Sequence, residues 1–338
     1  MRLRRSTVGG PGFRRVRRGR GFSYVDAQRK PVDDPEALAR IEALVIPPAW
    51  KNVWICPHPN GHIQAVGTDA AGRRQYLYHE RWQTERSEEK YDRALTLAKC
   101  LPDWRTRIIA DLRGRGLGRD RVLAVAQHLI DRGYFRAGGE EYAQENGSFG
   151  LATLLRDHVQ VRRDRVEFDY PAKSGVRRVI SLEDPLVIRA VRSLLRAETD
   201  IPRLLVYRTR DGWCEVHADD LNLRFRELVG EEFSVKDLRT WHGTVLAAEA
   251  FAMAREPTSK TARRREEAAV MRAVAEELGN TPAVARSSYV DPRVVTAYEQ
   301  GITIAPALRR VKRERTPLGR QQALERATAR LIKRLDTN

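Results

Sequence analysis

The chain has 338 residues, with 62 Lys and Arg against 45 Asp and Glu, and a formal net charge of +17 at pH 7. The sequence has no apolar run near the roughly 18 to 20 residues that a membrane-spanning helix needs, so no membrane association is expected. Arginine greatly outnumbers lysine. Because guanidinium groups match phosphate oxygens in a bidentate geometry, a polyanionic partner is indicated. The length suggests about two domains.

The first segment, residues 1–20, is rich in arginine and contains Gly9-Gly10-Pro11-Gly12. It has no apolar core, so it is not a secretory signal. Its composition would permit a transit peptide, but we favour a flexible basic arm that binds nucleic acid. The spread of positive charge over the rest of the chain favours a basic groove or clamp.

Residues 21–85 are predicted to form a β-rich domain. Short segments alternate with turn signals such as Pro47-Pro48 and Pro59-Asn60-Gly61, and one helix is expected over 34–44. The segment Arg73–His79 alternates, which places Gln75 on one face of a strand and Tyr76 and Tyr78 on the other. Basic residues interleaved with aromatic ones suit a sheet that contacts nucleic acid, and an ordinary exposed sheet face is an equal alternative.

Cysteine usage gives no indication of a disulfide framework. Cys56, Cys100 and Cys214 are odd in number and far apart, which indicates a reducing compartment. Cys56 lies near His58 and His62, but the segment is rich in Pro and Gly and lacks a second Cys pair. A turn is therefore favoured over a zinc site.

From Glu80 onward the periodicity becomes helical. Helices are predicted over Lys90–Leu101, Asp103–Arg113 and Arg119–Arg132. The glycine-rich run from Gly114 follows no strand, so it is a helix connection and not a nucleotide cradle. We expect a domain boundary near residues 80 to 90, a larger domain over 86–305 and a basic helical tail over 306–338.

Within that larger domain, strands are predicted over 159–161 and 166–170. A turn then places Lys173 at a hairpin tip, where it can reach into a groove. A second short hairpin is expected over 204–213. Helices follow over 184–198, 218–228 and 266–278, together with one that begins after Ser234.

The stretch from Gly279 to Pro292 has the features of a helix junction. Gly279 can close the preceding helix in a left-handed conformation, Thr281 is a good N-cap, and Pro282 suits a first helical turn. Tyr289 then falls about two turns into the new helix. A helical tyrosine is usually a packing residue. Its interpretation therefore depends on the residues that accompany it elsewhere.

Five positions in order carry a family resemblance: Arg136, Lys173, Arg239 in Lys236-Asp237-Leu238-Arg239, Asn280 and Tyr289. This order resembles the type IB DNA topoisomerases, in particular the compact bacterial enzymes related to the poxvirus topoisomerase. Further similar runs are Phe22–Asp26, Ile46–Trp50, Pro59–Gln64, Glu145–Leu151 and Arg239–His242. The resemblance covers about residues 20 to 300.

The resemblance implies an α+β architecture. A small β-rich N-terminal domain would join a larger, mostly α-helical catalytic domain of the topoisomerase IB and tyrosine recombinase type, and the two would close as a C-clamp on duplex DNA. The protein would act as a monomer in the cytoplasm, at the nucleoid. Gln75, Tyr76, Tyr78 and Tyr142 match family positions that contact DNA.

The chemistry of strand cleavage suggests a role for each candidate. Tyr289 can store the energy of a broken phosphodiester as a 3′-phosphotyrosyl ester. Arg136, Arg239 and Asn280 can donate hydrogen bonds to the non-bridging oxygens of the transition state. A lysine among arginines can have a lowered pKa, so Lys173 is the candidate general acid for the leaving 5′ oxygen. The sequence has neither a carboxylate cluster at metal-binding spacing nor a P-loop, so neither metal nor ATP is predicted.

Two alternatives remain open. A tyrosine recombinase shares the phosphotyrosine chemistry, but recombinases usually have His where this chain has Lys236, His or Trp where it has Asn280, and a helical N-terminal arm domain. A DNA-binding protein without catalytic activity is the other alternative, and a covalent-adduct gel would separate it from both enzymes. Asn280 also departs from the histidine of the poxvirus and eukaryotic enzymes, which puts one donor in doubt.

Overall fold

A computed structural model describes residues 2–140, 143, 147–255 and 257–336, with only the backbone described at Ser174. The chain divides into two compact units, Met1–Lys90 and Tyr91–Asn338. The first contains an antiparallel sheet and the second is mostly helical, so the predicted α+β architecture is confirmed. The assignment of DNA binding to one and catalysis to the other stays a prediction. None of the described helices is long and apolar enough to span a membrane.

The first unit is built on a five-stranded sheet of order β2-β1-β3-β4-β5. Its strands are β1 Phe13–Arg18, β2 Gly21–Val25, β3 Lys51–Ile55, β4 Ile63–Thr68 and β5 Arg74–Tyr78. Helix α1, Pro35–Ala43, begins at the N-cap Asp34 and packs Ile41 against Val53, Ile55 and Ala65. This small apolar layer is the core of the unit.

The N-terminal segment is part of this sheet, so the prediction of a flexible arm over residues 1–20 is wrong. Strand β1 pairs with both β2 and β3. A Cβ at Gly12 would lie 2.5 Å from Nε1 of Trp54, so the backbone packs directly on the indole. The guanidinium of Arg15 donates to three carbonyls, those of Ile46, Pro47 and Trp50. An arginine that caps loop carbonyls looks, in sequence, like one that binds phosphate.

Helix α2, Glu80–Leu112, is one continuous helix of 33 residues, although two helices were predicted on either side of Pro102. Proline removes one backbone donor but does not force a break when the rest of the helix is well packed. The buried side chains of Leu97, Leu101, Trp104 and Ile108 continue as one stripe through the proline. Packing of that stripe overrides the local preference.

The second unit holds the remaining elements. The helices are α3 Arg119–Gly133, α4 Pro185–Leu195, α5 Ala218–Val229, α6 Val235–Met253, α7 Lys260–Leu278, α8 Pro282–Val284, α9 Pro292–Glu299, α10 Ala305–Val311 and α11 Pro317–Asp336. The strands are β6 Val159–Val161, β7 Val166–Pro171 and β8 Arg177–Leu182 in one antiparallel sheet, and β9 Val206–Arg208 with β10 Trp213–Glu215 in another. Both predicted hairpins are therefore present.

Helix α11 belongs to the core and is not a peripheral tail. Glu325 lies on it and pairs with the buried guanidinium of Arg105, which also forms a bidentate pair with Asp131. The side chains of Leu331 and Ile332 are buried as well. The prediction of a helix here is confirmed, but its basic composition concealed the buried face that holds it to the unit.

Candidate active site

The candidate site is arranged around the C-terminal end of helix α7. Gly279 ends the helix with φ 60°, a left-handed conformation that costs glycine little. The backbone N–H of Asn280 donates to the carbonyl of Ala275 at 2.8 Å, which completes the turn. The predicted role of Gly279 as a helix cap is confirmed. The last carbonyls of a helix have no partner within the helix, so they are open to other donors.

Two of the predicted arginines bind those last carbonyls. Arg136 donates to the carbonyl of Gly279 at 2.6 Å and to Oδ1 of Asn280. Arg239, on helix α6, donates to the carbonyl of Leu278, and to that of Tyr134 at 2.6 Å. The partial negative charge at the helix end favours cations there. The two guanidiniums are thus fixed in place by backbone groups.

Tyr289 is held by helix α6. Thr281 caps α8 as predicted, its hydroxyl accepting from the N–H of Val284 at 3.3 Å. The chain then forms a π-helical turn over Ala285–Tyr289 in place of the predicted α-helix. A Cβ on Gly243 would lie 2.9 Å from Cβ of Tyr289, so only glycine allows this approach of the two backbones. The hydroxyl of Thr244 donates to the carbonyl of Tyr289 at 3.2 Å. Insertions of this π type are frequent at functional sites.

Lys173 lies at the tip between β7 and β8, as predicted. The tip is a short 3₁₀ turn over Lys173–Gly175, closed by the N–H of Ala172, which donates to the carbonyl of Val176 at 2.8 Å. The lysine side chain is exposed there. The hairpin therefore presents an amine at the mouth of the site.

Four of the five candidates line one cavity of about 490 Å³: Arg136, Lys173, Asn280 and Tyr289. Arg239 is only 7% exposed, and its guanidinium carbon lies 5.3 Å from the centroid of the Tyr289 ring. The structure therefore brings the five residues together, although they are scattered along the sequence from Arg136 to Tyr289. Their individual roles stay predictions.

Two closely spaced arginines make the site electropositive. Burial, with repulsion from Arg136, lowers the pKa of Arg239 to about 10, so the group is still charged at neutral pH. Burial lowers the pKa of Arg136 as well. The described chain places no carboxylate against either guanidinium. A buried and a half-buried cation without a carboxylate partner among the described residues are costly, and a bound anion would lower that cost.

Two buried donors point to the same conclusion. Nε of Arg239 and Nδ2 of Asn280 find no acceptor in the part of the chain that the structure describes. The orientation of the Asn280 amide is fixed, because its oxygen already accepts from Arg136. Buried donors are nearly always paired, so these two, which have no acceptor among the described residues, indicate an absent one. A phosphate oxygen fits this requirement.

The DNA-contact candidates of the first unit lie on β5. Tyr76 and Tyr78 are each 38% exposed, and their rings stack at 5.9 Å. Gln75 points to the other side, as predicted, where its amide donates to Asp69 at 2.9 Å. Tyr142 lies outside the described residues. Contact of these residues with DNA stays a prediction.

Arg178 also lines the cavity, and sequence reasoning missed it. It lies on β8 beside Arg177, so the doublet was visible, but nothing in the sequence says which of the two turns toward α7. Gly243 and Thr244 were missed as well, because their role depends on the packing of two helices.

Comparison with known proteins decides the family. Residues 79–314 match the family described as eukaryotic DNA topoisomerase I, catalytic core. The chain belongs to the type IB DNA topoisomerases. Residues 21–69 match the N-terminal domain of bacterial DNA topoisomerase IB, so this topoisomerase is of the bacterial type. The resemblance inferred from the motifs is confirmed, and topoisomerase is preferred to the recombinase and to a DNA-binding protein without activity.

Individual topoisomerases agree with this assignment. The DNA topoisomerase 1B of Acanthamoeba polyphaga mimivirus is 29% identical over 296 residues, which cover 85% of this chain and 88% of that protein. The DNA topoisomerase 1 alpha of Arabidopsis thaliana is 27% identical over 160 residues, 47% of this chain and 16% of that protein. The similarity to the viral topoisomerase therefore spans both units.

Proposed function

We propose that this type IB topoisomerase relaxes supercoiled DNA with Tyr289 as its nucleophile and with Arg136, Lys173, Arg239 and Asn280 as the other catalytic residues. The observation that carries the proposal is a pair of buried donors that find no acceptor among the described residues. Nδ2 of Asn280 belongs to a residue that lines the same cavity as Tyr289, and Nε of Arg239 belongs to the guanidinium whose carbon lies 5.3 Å from the centroid of the Tyr289 ring. A phosphodiester at this position would satisfy both donors and neutralise the charges of Arg239 and Arg136.

Cleavage follows from this placement. The phenol of Tyr289 loses its proton to water and its oxygen attacks the phosphorus, forming a 3′-phosphotyrosyl bond. The bond between phosphorus and the 5′ oxygen breaks, and Lys173 transfers a proton to that oxygen to give a free 5′-OH. The donors of Arg136, Arg239 and Asn280 stabilise the negative charge that develops on the non-bridging oxygens. Religation is the reverse of these steps.

The physical consequence is relaxation in either direction. Because the broken 5′ end is not covalently held, it rotates and releases positive or negative torsional strain before religation. The energy of the phosphodiester is retained in the tyrosyl ester, so the reaction needs no nucleotide. The protein acts as a monomer that closes on duplex DNA at the nucleoid, with the first unit as the DNA-binding part of the clamp.

Relaxation of supercoiled plasmid in EDTA without ATP tests the proposal. We expect full relaxation of both positively and negatively supercoiled plasmid, with a protein–DNA adduct at a 3′ phosphate when the reaction is stopped with detergent. Peptide mapping of that adduct should identify Tyr289. Strict dependence on magnesium or ATP, or an adduct on another residue, would refute the mechanism.

A further inference from the structure

Arg178 is a third arginine on the end of helix α7. Its guanidinium donates to the carbonyl of Glu277 at 2.5 Å and to that of Glu276 at 3.3 Å, and reaches the carbonyl of Gly133 at 3.5 Å. Arg239 and Arg136 occupy the next two carbonyls, those of Leu278 and Gly279. Four consecutive carbonyls therefore hold three guanidiniums.

The guanidinium of Arg178 lies close to the backbone of Gly279. A Cβ built on Gly279 would lie 2.5 Å from Nη1 of Arg178. The same glycine has φ 60°, where side chains are strained. Gly279 therefore ends the helix and also leaves room for the guanidinium beside it.

Arg178 connects two halves of the site that come from different parts of the fold. It lies on β8, the strand that follows the tip carrying Lys173. The carbonyls it binds precede the turn that carries Asn280. Near the tip, the β8 side of the hairpin has little apolar packing, since Val176 and Val179 are 59% and 64% exposed. Because little apolar surface is buried there, the position of this segment depends on its hydrogen bonds.

We propose that Arg178 is a positioning residue that aligns the hairpin of Lys173 with the end of helix α7. It does so by binding the carbonyls of Glu276 and Glu277, and through them it places the proton donor relative to Asn280 and Tyr289. The inference rests on the proposed role of Lys173 as general acid. Arg178 itself transfers no proton and forms no bond to the substrate.

The test compares Arg178→Ala with wild type in single-turnover cleavage of a duplex whose cleavage site has been mapped with the wild-type protein. At saturating DNA we expect the rate of adduct formation to fall by about 10- to 100-fold, since misplacement of a catalytic group by about 1 Å can cost 10²-fold. The same duplex with sulfur as the 5′-bridging atom should restore most of that loss, because a thiolate leaves without a proton. Arg178→Lys keeps the charge but cannot span two carbonyls. Its cleavage rate should lie between those of wild type and Arg178→Ala.

Arg165→Ala is the matched control. Arg165 lies in the turn between β6 and β7 of the same sheet, outside the lining of the cavity, and its Nε pairs with Glu167 at 2.8 Å. The variant therefore removes an equal charge and leaves the carbonyls of α7 bound. We expect its cleavage rate to stay within about 2-fold of wild type. An Arg178→Ala protein with wild-type rate, with equal loss on both substrates, or with a loss matched by Arg165→Ala would overturn the inference. If wild type itself formed no adduct, the proposed function and not the role of Arg178 would fail.

Discussion

The guanidinium carbon of Arg239 lies 5.3 Å from the centroid of the Tyr289 ring. A cation over an aromatic face is attracted to it, most strongly where water is excluded, and Arg239 is 7% exposed. The contact holds the ring of Tyr289, the proposed nucleophile, against the group proposed to bind the phosphate. In the proposed mechanism Arg239 would also place a positive charge near the phenol oxygen as that oxygen becomes negative.

Replacing Tyr289 with phenylalanine should separate binding from chemistry. The ring over Arg239 is kept and the nucleophilic oxygen is lost. We expect no covalent adduct and no plasmid relaxation, while affinity for duplex DNA stays near that of wild type. Denaturing gels measure the adduct and fluorescence anisotropy measures binding. Adduct formation by the phenylalanine variant would assign the nucleophile elsewhere.

Removing the proton donor should have a different signature from removing a charge. Lys173→Ala should slow cleavage, and a 5′-bridging sulfur should restore it, because the leaving thiolate needs no proton. Arg239→Ala should be slow on both substrates, since the missing stabilisation of the phosphorane is not replaced by a better leaving group. Single-turnover rates on paired oxygen and sulfur duplexes measure this. Rescue of Arg239→Ala but not of Lys173→Ala would move the acid role to the arginine.

Asn280 should contribute as a single neutral donor. Asn280→Ala loses Nδ2, the donor that has no acceptor in the described chain, and cleavage should fall by on the order of 10²- to 10³-fold at most. Asn280→Asp has the same shape but only accepts hydrogen bonds, and its charge would oppose the phosphate, so it should be slower than the alanine variant. Asn280→His can still donate and should retain substantial activity. If the aspartate variant matched wild type, the amide would have no contact with the phosphate.

Local rules predicted much of the site. The αL glycine at 279, the N-cap at Thr281 and the hairpin tip at Lys173 each depend on near neighbours in sequence, and all three are present. The continuous helix through Pro102 was missed because burial of its long stripe outweighs the proline. Arg178 was missed because its partners are backbone carbonyls about 100 positions away. Every residue has such a carbonyl, so the sequence does not mark which ones bind the arginine.

The sequence also does not distinguish the exposed arginines of strand β1 from the one that binds carbonyls, and this difference leads to a prediction about DNA binding. Arg14 and Arg17 are exposed on β1, whereas Arg15 is bound to loop carbonyls. Arg14→Ala and Arg17→Ala should each weaken DNA binding. Each should also make the negative slope of log affinity against log salt shallower by roughly 0.9 if a phosphate contact is lost. Arg15→Ala should instead lower the melting temperature.

Titration of binding over a range of salt, with calorimetry of each variant, distinguishes the two classes. Deletion of residues 1–20 is a poor test of charge, because it removes strand β1 from between β2 and β3. An unchanged salt slope in both Arg14→Ala and Arg17→Ala would remove strand β1 from the DNA interface.

The buried network around Arg105 should make helix α11 indispensable to the second unit. Arg105 is 1% exposed and binds Asp131 at 2.8 Å and Glu325 at 2.7 Å. Glu325→Ala leaves a buried cation with one partner fewer, and breaking such a pair costs about 3 to 5 kcal/mol of unfolding free energy. Asp336→Asn removes a carboxylate from the same helix, but its partner Arg293 lies near the surface, so the loss should stay under about 1 kcal/mol.

The same buried network should make the stability of the protein depend on pH in the acid range. Burial disfavours the charged form of Asp131, but Arg105 and His242 outweigh it and hold the pKa of this carboxyl well below its ordinary value of 3.8. The stability from Asp131 is therefore fully present above about pH 4. It is lost as the pH falls further, because the unfolded chain takes up the proton first. Asp131→Asn should be less stable at pH 7 and show a smaller loss between about pH 4 and pH 2. Chemical denaturation followed by circular dichroism measures both, and equal pH slopes in the two proteins would contradict the role given to Asp131.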